Sequence, residues 1–110
     1  MNENRVTAFI NEYSETAEKL IYIIKNVKFL QERKAGYDGE QVDEFLDSLI
    51  LEFDMHSKYE KVGSLINTTT IVDVKFGVIK MGYNIGQVDD FLDLLEMEIE
   101  KLNEIKLRYF

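Results

Sequence analysis

GYDGEQVDEFLDSLILE, from Gly36 to Glu52, and GYNIGQVDDFLDLLEME, from Gly82 to Glu98, are two copies of one segment in this 110-residue chain. The copies are offset by 46 residues, and ten of the 17 aligned positions are identical. Unrelated segments of this length would share about one residue, so the similarity indicates an internal duplication. It continues upstream to Phe29 and Phe76, where the first copy carries one extra residue before its glycine.

Each copy predicts a turn followed by a helix. Asp38 and Asn84 are each followed three residues later by a glutamine, which is a capping-box pattern. In such a pattern the first side chain can accept a hydrogen bond from a free N–H of the first helical turn. Gly36 and Gly82 would supply a positive φ or end a preceding helix.

Beyond the caps, apolar side chains recur at alternating spacings of four and three, which is typical of a coiled-coil seam. The seam positions are Val42, Leu46, Leu49, Phe53 and His56 in the first copy, and Val88, Leu92, Leu95, Ile99 and Leu102 in the second. Phe45 and Phe91 widen the stripe. The N-terminal stretch has the same period, at Val6, Ile10, Tyr13, Ala17, Leu20, Ile24 and Val27. Each helix therefore needs another helix to cover its apolar face.

These patterns predict an all-α fold, a helical hairpin or coiled-coil-like bundle built from two turn-helix repeats plus an N-terminal helix. We assign residues 1–110 to a single domain, with an N-terminal amphipathic helix over 1–26 and repeats over 24–60 and 66–110. No Pro or Gly precedes Gly36, so the first helix can run to about Lys34. In the second lead-in, Thr-Thr-Thr-Ile-Val has β propensity, but the repeat favours a short helix capped near Asn67 or Thr68.

Composition and charge exclude several classes of protein. The formal net charge is −8, and the chain has no cysteine, so it forms no disulfide or thiolate metal site. The N-terminus lacks the features of a secretion signal, and the longest apolar run, Leu20 to Ile24, is too short to span a bilayer. The acidic balance disfavours nucleic acid and favours basic partners. We predict a cytoplasmic protein.

The pattern F-x5-G-Y-[DN]-x3-V-D-x-F-L-D is intact from Phe76 to Asp93 and nearly intact from Phe29 to Asp47. It resembles the N-terminal domain of the DivIVA and GpsB family, whose members are bacterial adaptors of cell division and wall growth, mainly in Gram-positive bacteria. The resemblance implies a non-enzymatic cytoplasmic protein with no cofactor, peripherally associated at the division septum. Unlike that family, this sequence holds two tandem copies and lacks the long C-terminal coiled coil.

Two carboxylate pairs are the candidate site. Asp43 with Asp47, and Asp89 with Asp93, are four residues apart and so share a helix face. A tyrosine six residues before each pair would complete an acidic, aromatic-edged cup that suits a guanidinium. Alternatively, the acids are placed near the helix start by the macrodipole and the tyrosines pack as staples. A metal or catalytic role is less well supported than these two interpretations. The acids lack the spacing of an EF-hand loop, and no His or second acid from another element converges on them.

The resemblance makes the first interpretation more specific. In the GpsB branch the turn tyrosine, the two aspartates and the leucine between them hold an arginine from the cytosolic tail of a penicillin-binding protein. The matching positions here are Tyr37, Asp43, Leu46 and Asp47, and Tyr83, Asp89, Leu92 and Asp93. The implied function is an adaptor that docks basic peptides of division or wall-synthesis proteins on these helix faces.

A membrane-associated division scaffold is the alternative. DivIVA proteins insert a phenylalanine at the turn, and the matching positions here hold Lys34 in the first copy and Lys80 with Met81 in the second. Each turn of this sequence keeps a positively charged side chain but lacks the phenylalanine that would insert into the membrane. Lys34 and Lys80 can therefore also be simply exposed to solvent. The linker, 61–70, can reach about 33 Å, which is barely enough for two repeat helices of about 30 Å to lie parallel. We therefore predict that the two copies pair as a pseudo-dimer within one chain, with a homodimer formed by exchange between two chains as the alternative.

Overall fold

The computed structural model describes residues 3–57 and 69–109, with side chains described over 7–55 and 70–109. In chain order the elements are α1 (Glu3–Asn26), β1 (Gln31–Glu32), β2 (Gly36–Tyr37), α2 (Gly39–Ser57), α3 (Thr69–Asp73), β3 (Val78–Ile79), β4 (Gly82–Tyr83) and α4 (Ile85–Tyr109). The prediction of a mainly helical protein is confirmed. The four two-residue strands between the helices were not predicted.

The caps and the short helix α3 agree with the sequence. Asp38 Oδ1 accepts a hydrogen bond from the Glu40 N–H at 3.0 Å, and Asn84 Oδ1 accepts one from the Gln87 N–H at 2.9 Å. These bonds satisfy donors that the first helical turn leaves free. The predicted cap near Asn67 or Thr68 lies outside the described residues, as do the side chains of Val6 and His56.

The seams form most of the core, although Ile10 and Val27, two of the predicted seam positions, are only partly buried. Helix α1 packs against both α2 and α4, so the N-terminal helix covers the apolar faces of the two repeat helices. The fully or nearly buried seam residues are Tyr13, Ala17, Leu20, Ile24, Val42, Leu46, Leu49, Phe53, Val88, Leu92, Leu95, Ile99 and Leu102. Phe9 and Ile105 are also buried, although the seam did not predict them. Lys106 is buried too, with its Nζ 5.2 Å from the centre of the Tyr13 ring.

Helix α1 ends at Asn26, so the expectation that it could continue to about Lys34 is wrong. The Asn26 side-chain amide donates to the Tyr22 carbonyl at 2.8 Å, at the C-terminal end of the helix. Four residues further on, the Leu30 carbonyl accepts from the Asn84 N–H at 2.8 Å. A long-range contact with the second repeat therefore replaces the helical bonding that local propensity allows.

The strands interlock the two repeats. They form one antiparallel sheet in the order β1-β4-β2-β3, so that β4 lies between the two strands of the first repeat. Tyr37 pairs with Tyr83 where the central strands meet. The Asp38 N–H donates to the Gly77 carbonyl at 2.8 Å, which is the counterpart of the bond between Asn84 and Leu30. The contacts of each repeat with the other are thus related by a pseudo-two-fold.

The reason for the two motif glycines differs from the one expected. None of the described glycines has a positive φ, and Gly36 and Gly82 lie in strands rather than at a helix end. A Cβ atom on Gly36 would lie 2.4 Å from the carbonyl carbon of Gly82, and the reverse distance is the same. Glycine is required because the two backbones approach too closely for any side chain.

Candidate functional site

Each motif tyrosine contacts the helix of the other repeat. The Tyr37 hydroxyl donates to Asp89 Oδ1 at 2.8 Å. The Tyr83 hydroxyl lies 3.0 Å from Oδ1 and 3.1 Å from Oδ2 of Asp43. The prediction that a tyrosine joins the aspartates of its own copy is wrong, because the interlocked strands carry each tyrosine across to the other repeat. Each cup is therefore built from both repeats.

The crossing of each motif tyrosine to the other repeat also positions the aromatic rings. Phe29, from the first lead-in, lies 5.3 Å from Tyr83 and 5.8 Å from Phe91, measured between ring centroids. Its counterpart Phe76 lies 5.4 Å from Tyr37, also in the other repeat. These tilted and edge-on contacts are the favoured geometry for aromatic pairs. They fix each tyrosine ring beside the carboxylate that its hydroxyl contacts.

Both tyrosines are held in the neutral, hydrogen-donating form. The hydrogen bond to Asp89, with a smaller effect of burial, raises the pKa of Tyr37 above its ordinary value. Burial, followed by the hydrogen bond to Asp43, raises the pKa of Tyr83. A phenolate beside a carboxylate would bring two negative charges together, which disfavours ionisation. Each tyrosine hydroxyl consequently remains a hydrogen-bond donor that orients the aspartate it contacts.

An open groove of about 560 Å³ lies beside Asp43 and Asp47, and we call it the α2 groove. Helix α2 contributes Asp43, Leu46, Asp47 and Ile50 to its lining, and Tyr83 of the second repeat lines it as well. The facing wall is the end of α1 and the segment after it, with Ile24, Lys25, Val27, Lys28 and Phe29. Lys25 and Lys28 were not predicted to belong to the site.

A second groove of about 350 Å³ occupies the equivalent place on the second repeat, and we call it the α4 groove. Helix α4 contributes Asp89, Leu92, Asp93 and Glu96, and the facing wall holds Ile71, Val72 and Val74. Helix α3 thus takes the position that the end of α1 has in the α2 groove. The α4 groove keeps the leucine floor, the aspartate pair, and an isoleucine and a valine on the facing wall. It differs where Val72 takes the place of Lys25 and Glu96 that of Ile50.

The predicted site residues divide into floor and rim. Leu46 and Leu92 are only 5% and 8% exposed, so they form the apolar floor. Asp47 and Asp93 are exposed, and within the described part of the chain their carboxylates accept no hydrogen bond and form no ion pair. Each groove therefore offers a carboxylate without a partner one helical turn from the tyrosine-bound aspartate. A guanidinium can bond to two such carboxylates at once.

Two glutamines join the repeats beside the grooves, and sequence reasoning missed this role. Gln41 Oε1 accepts from the Gly77 N–H at 2.7 Å, and Gln87 Oε1 accepts from the Leu30 N–H at 2.9 Å. In a capping box each glutamine would instead return to its own cap residue. The signal in the sequence is the identity of the glutamine in both copies, which a capping box alone also explains.

The turn residues lie at the surface. Lys34 is exposed in the bend between β1 and β2, and Lys80 and Met81 connect β3 to β4. Met81 has a φ of 63°, an uncommon conformation for a residue with a side chain, and is 51% exposed. Together with the exposed Val78 and Ile79 it forms an apolar tip.

Comparison of the chain with protein-family models, with curated proteins and with solved structures found no match. No helix among the described residues is both long enough and apolar enough to cross a bilayer. Within the same residues, no group of three or more His, Asp or Glu side chains could hold a metal ion. The interpretation of the site therefore depends on the geometry of the grooves and on the sequence motif.

Proposed function

We propose that this protein is a non-enzymatic bacterial adaptor of cell division or cell-wall growth that docks arginine-containing peptides of partner proteins on its tyrosine-aspartate helix faces. The observation that carries the proposal is the pair of equivalent grooves, each with a tyrosine-oriented aspartate and a second aspartate that has no partner in the described chain. The motif resemblance to DivIVA and GpsB proteins supports the cellular role.

The chemistry of the grooves favours arginine over lysine. Two carboxylates one helical turn apart match the forked donors of a guanidinium, whereas an ammonium is a point charge that satisfies one acceptor at a time. The floor formed by Leu46 or Leu92 can pack against the aliphatic part of the arginine side chain. The net charge of −8 adds a long-range attraction for a basic tail.

Calorimetric titration with synthetic peptides tests the proposal. A short peptide with an arginine between apolar residues should bind, the same peptide with lysine should bind more weakly, and the alanine version should not bind. The double variant Asp47→Ala/Asp93→Ala should lose binding while its melting temperature and helical circular dichroism stay unchanged.

A matched control is Glu18→Ala/Glu100→Ala, which removes the same charge from exposed positions outside the grooves. It should bind the arginine peptide as well as the parent does. If both double variants lose binding equally, general charge attraction explains the binding and the groove has no specific role. If the parent binds none of the arginine peptides, the docking function is wrong.

A membrane-associated division scaffold is the second candidate, and the apolar tip at Val78, Ile79 and Met81 is the observation that favours it. Against it, Ile79 and Met81 share a cleft with the carboxylates of α2, including Glu40 and Glu44, which an anionic lipid surface would repel. Flotation with anionic liposomes separates the two. Binding that Met81→Asp abolishes would favour the scaffold, and no flotation would exclude it.

A further inference from the structure

The two grooves are equivalent in position but differ in charge: two carboxylates and two lysines line the α2 groove, whereas three carboxylates and no lysine or arginine line the α4 groove. In the α2 groove the carboxylates of Asp43 and Asp47 face a wall that carries Lys25 and Lys28. In the α4 groove the position of Lys25 is taken by Val72, which is 60% exposed. Lys75 is the counterpart of Lys28 along the chain, and it does not line the groove. Glu96 stands where the first repeat has Ile50 and adds a third carboxylate.

The hydrogen bond between tyrosine and aspartate also differs between the two grooves. Both carboxylate oxygens of Asp43 lie within hydrogen-bond distance of the Tyr83 hydroxyl, at 3.0 Å and 3.1 Å. Tyr37 contacts only Oδ1 of Asp89, at 2.8 Å. Oδ2 of Asp89 accepts no hydrogen bond from the described residues. Each tyrosine hydroxyl has one proton, so Asp43 and Asp89 each accept one hydrogen bond from it, and both keep lone pairs for a guanidinium. The charge of the side chains that line the two grooves therefore distinguishes them, and the number of acceptors does not.

We propose that the α4 groove is the arginine-binding groove of this protein and that Lys25 and Lys28 close the α2 groove to cationic side chains. The proposal rests on the docking function above and names which of the two sites carries it. Among the described residues Lys25 and Lys28 form no ion pair with Asp43 or Asp47, but an ammonium on the facing wall repels a guanidinium and lowers the negative potential of the groove. Val72 does neither, and it offers an apolar surface to the residue beside the arginine.

The occupant is a basic segment of a partner protein. Asp89, Asp93 and Glu96 follow the i, i+4, i+7 positions of one helix face, which places carboxylates along about 10 Å of α4. The facing wall is apolar throughout, with Ile71, Val72 and Val74. A segment with an arginine, a neighbouring apolar residue and a second basic residue complements both walls. One molecule of the protein should bind one such segment.

Stoichiometry and two reciprocal substitutions test the proposal. Titration calorimetry with a synthetic peptide that carries two arginines around an apolar residue should give one site per chain. Val72→Lys places in the α4 groove the lysine that the α2 groove already has, and it should weaken binding about tenfold or more. Asp93→Asn should have an effect of similar size. The double variant Lys25→Val/Lys28→Val should raise the number of sites from one to two.

Lys75→Val is the matched control, because it removes a lysine from the second repeat outside the groove. It should leave both the affinity and the stoichiometry unchanged. Two equivalent sites on the parent, or full binding by Val72→Lys, would overturn the assignment of the α4 groove while leaving the docking function intact. If the parent binds no arginine peptide, the docking function fails and this assignment fails with it. All the substituted side chains are exposed, and a thermal melt of each variant verifies that it is folded.

Discussion

Gly36 and Gly82 lie so close together that a Cβ atom built on Gly36 would come within 2.4 Å of both the carbonyl carbon and the carbonyl oxygen of Gly82. Gly36→Ala should therefore destabilise the protein by about 2 kcal/mol or more, because two backbones must separate. Thermal and urea melts measure the loss. Gly86→Ala is the control: the nearest atom to its Cβ, Asn84 Oδ1, is 3.4 Å away, so its stability should hold or rise. Equal losses would contradict the close approach.

The crossing of the tyrosines predicts a specific energetic coupling. Tyr37→Phe and Asp89→Ala each remove one partner of the 2.8 Å hydrogen bond. A double-mutant cycle on these two residues should give a coupling of about 1 kcal/mol in the free energy of unfolding. The same cycle on Tyr37 and Asp43, which belong to one repeat, should give a coupling near zero. A larger coupling of Tyr37 with Asp43 than with Asp89 would mean that Tyr37 contacts the helix of its own repeat.

The raised pKa values predict a loss of stability at alkaline pH. Below the ordinary tyrosine pKa of 10.0, Tyr37 and Tyr83 are neutral whether the chain is folded or unfolded, so their hydrogen bonds contribute fully. Above it the unfolded chain ionises first, and the contribution is lost as the pH rises through the raised pKa of the folded state. Tyr37→Phe/Tyr83→Phe should consequently show a smaller drop in melting temperature than the parent between about pH 9 and 11. Parallel curves would argue against the two bonds.

Tyr13 offers a stabilising substitution. Its side chain is fully buried between the helices, and its hydroxyl has no hydrogen-bond partner among the described residues. Burial, together with the charge of Glu52, raises the pKa of this hydroxyl. Tyr13→Phe removes an unsatisfied buried group and should raise the free energy of unfolding by about 1 kcal/mol. Tyr22→Phe, at a 68% exposed position, should change nothing. A destabilised Tyr13→Phe would show that the hydroxyl is satisfied.

The helices could be predicted because their signals are local. The seam spacing located α2 and α4, the repeat located α3, and the buried faces follow the predicted positions closely. The carboxylate pairs also fall on shared faces, since a spacing of four residues depends only on helix geometry. All these features are properties of one segment at a time.

The contacts that each repeat makes with the other could not be predicted from the pattern of one segment. Strands of two residues carry no periodic pattern, and their hydrogen bonds join residues such as Leu30 and Asn84 that are far apart in sequence. The same contacts end α1 early and take Tyr37 away from the aspartates of its own copy. The place of Lys25 on the wall of the α2 groove could not be predicted either, because it depends on how α1 packs against α2.

The order of the strands has a consequence for synthesis of the protein on the ribosome. Because β4 lies between β1 and β2, the first half of the chain emerges with strand edges whose hydrogen-bonding partners have not yet been made. Until translation reaches Tyr83, those edges and the part of α1 that α4 later covers are open to neighbouring nascent chains. Two such halves on one messenger could complete each other in place of their own second half, so slow translation should favour entangled dimers over monomers.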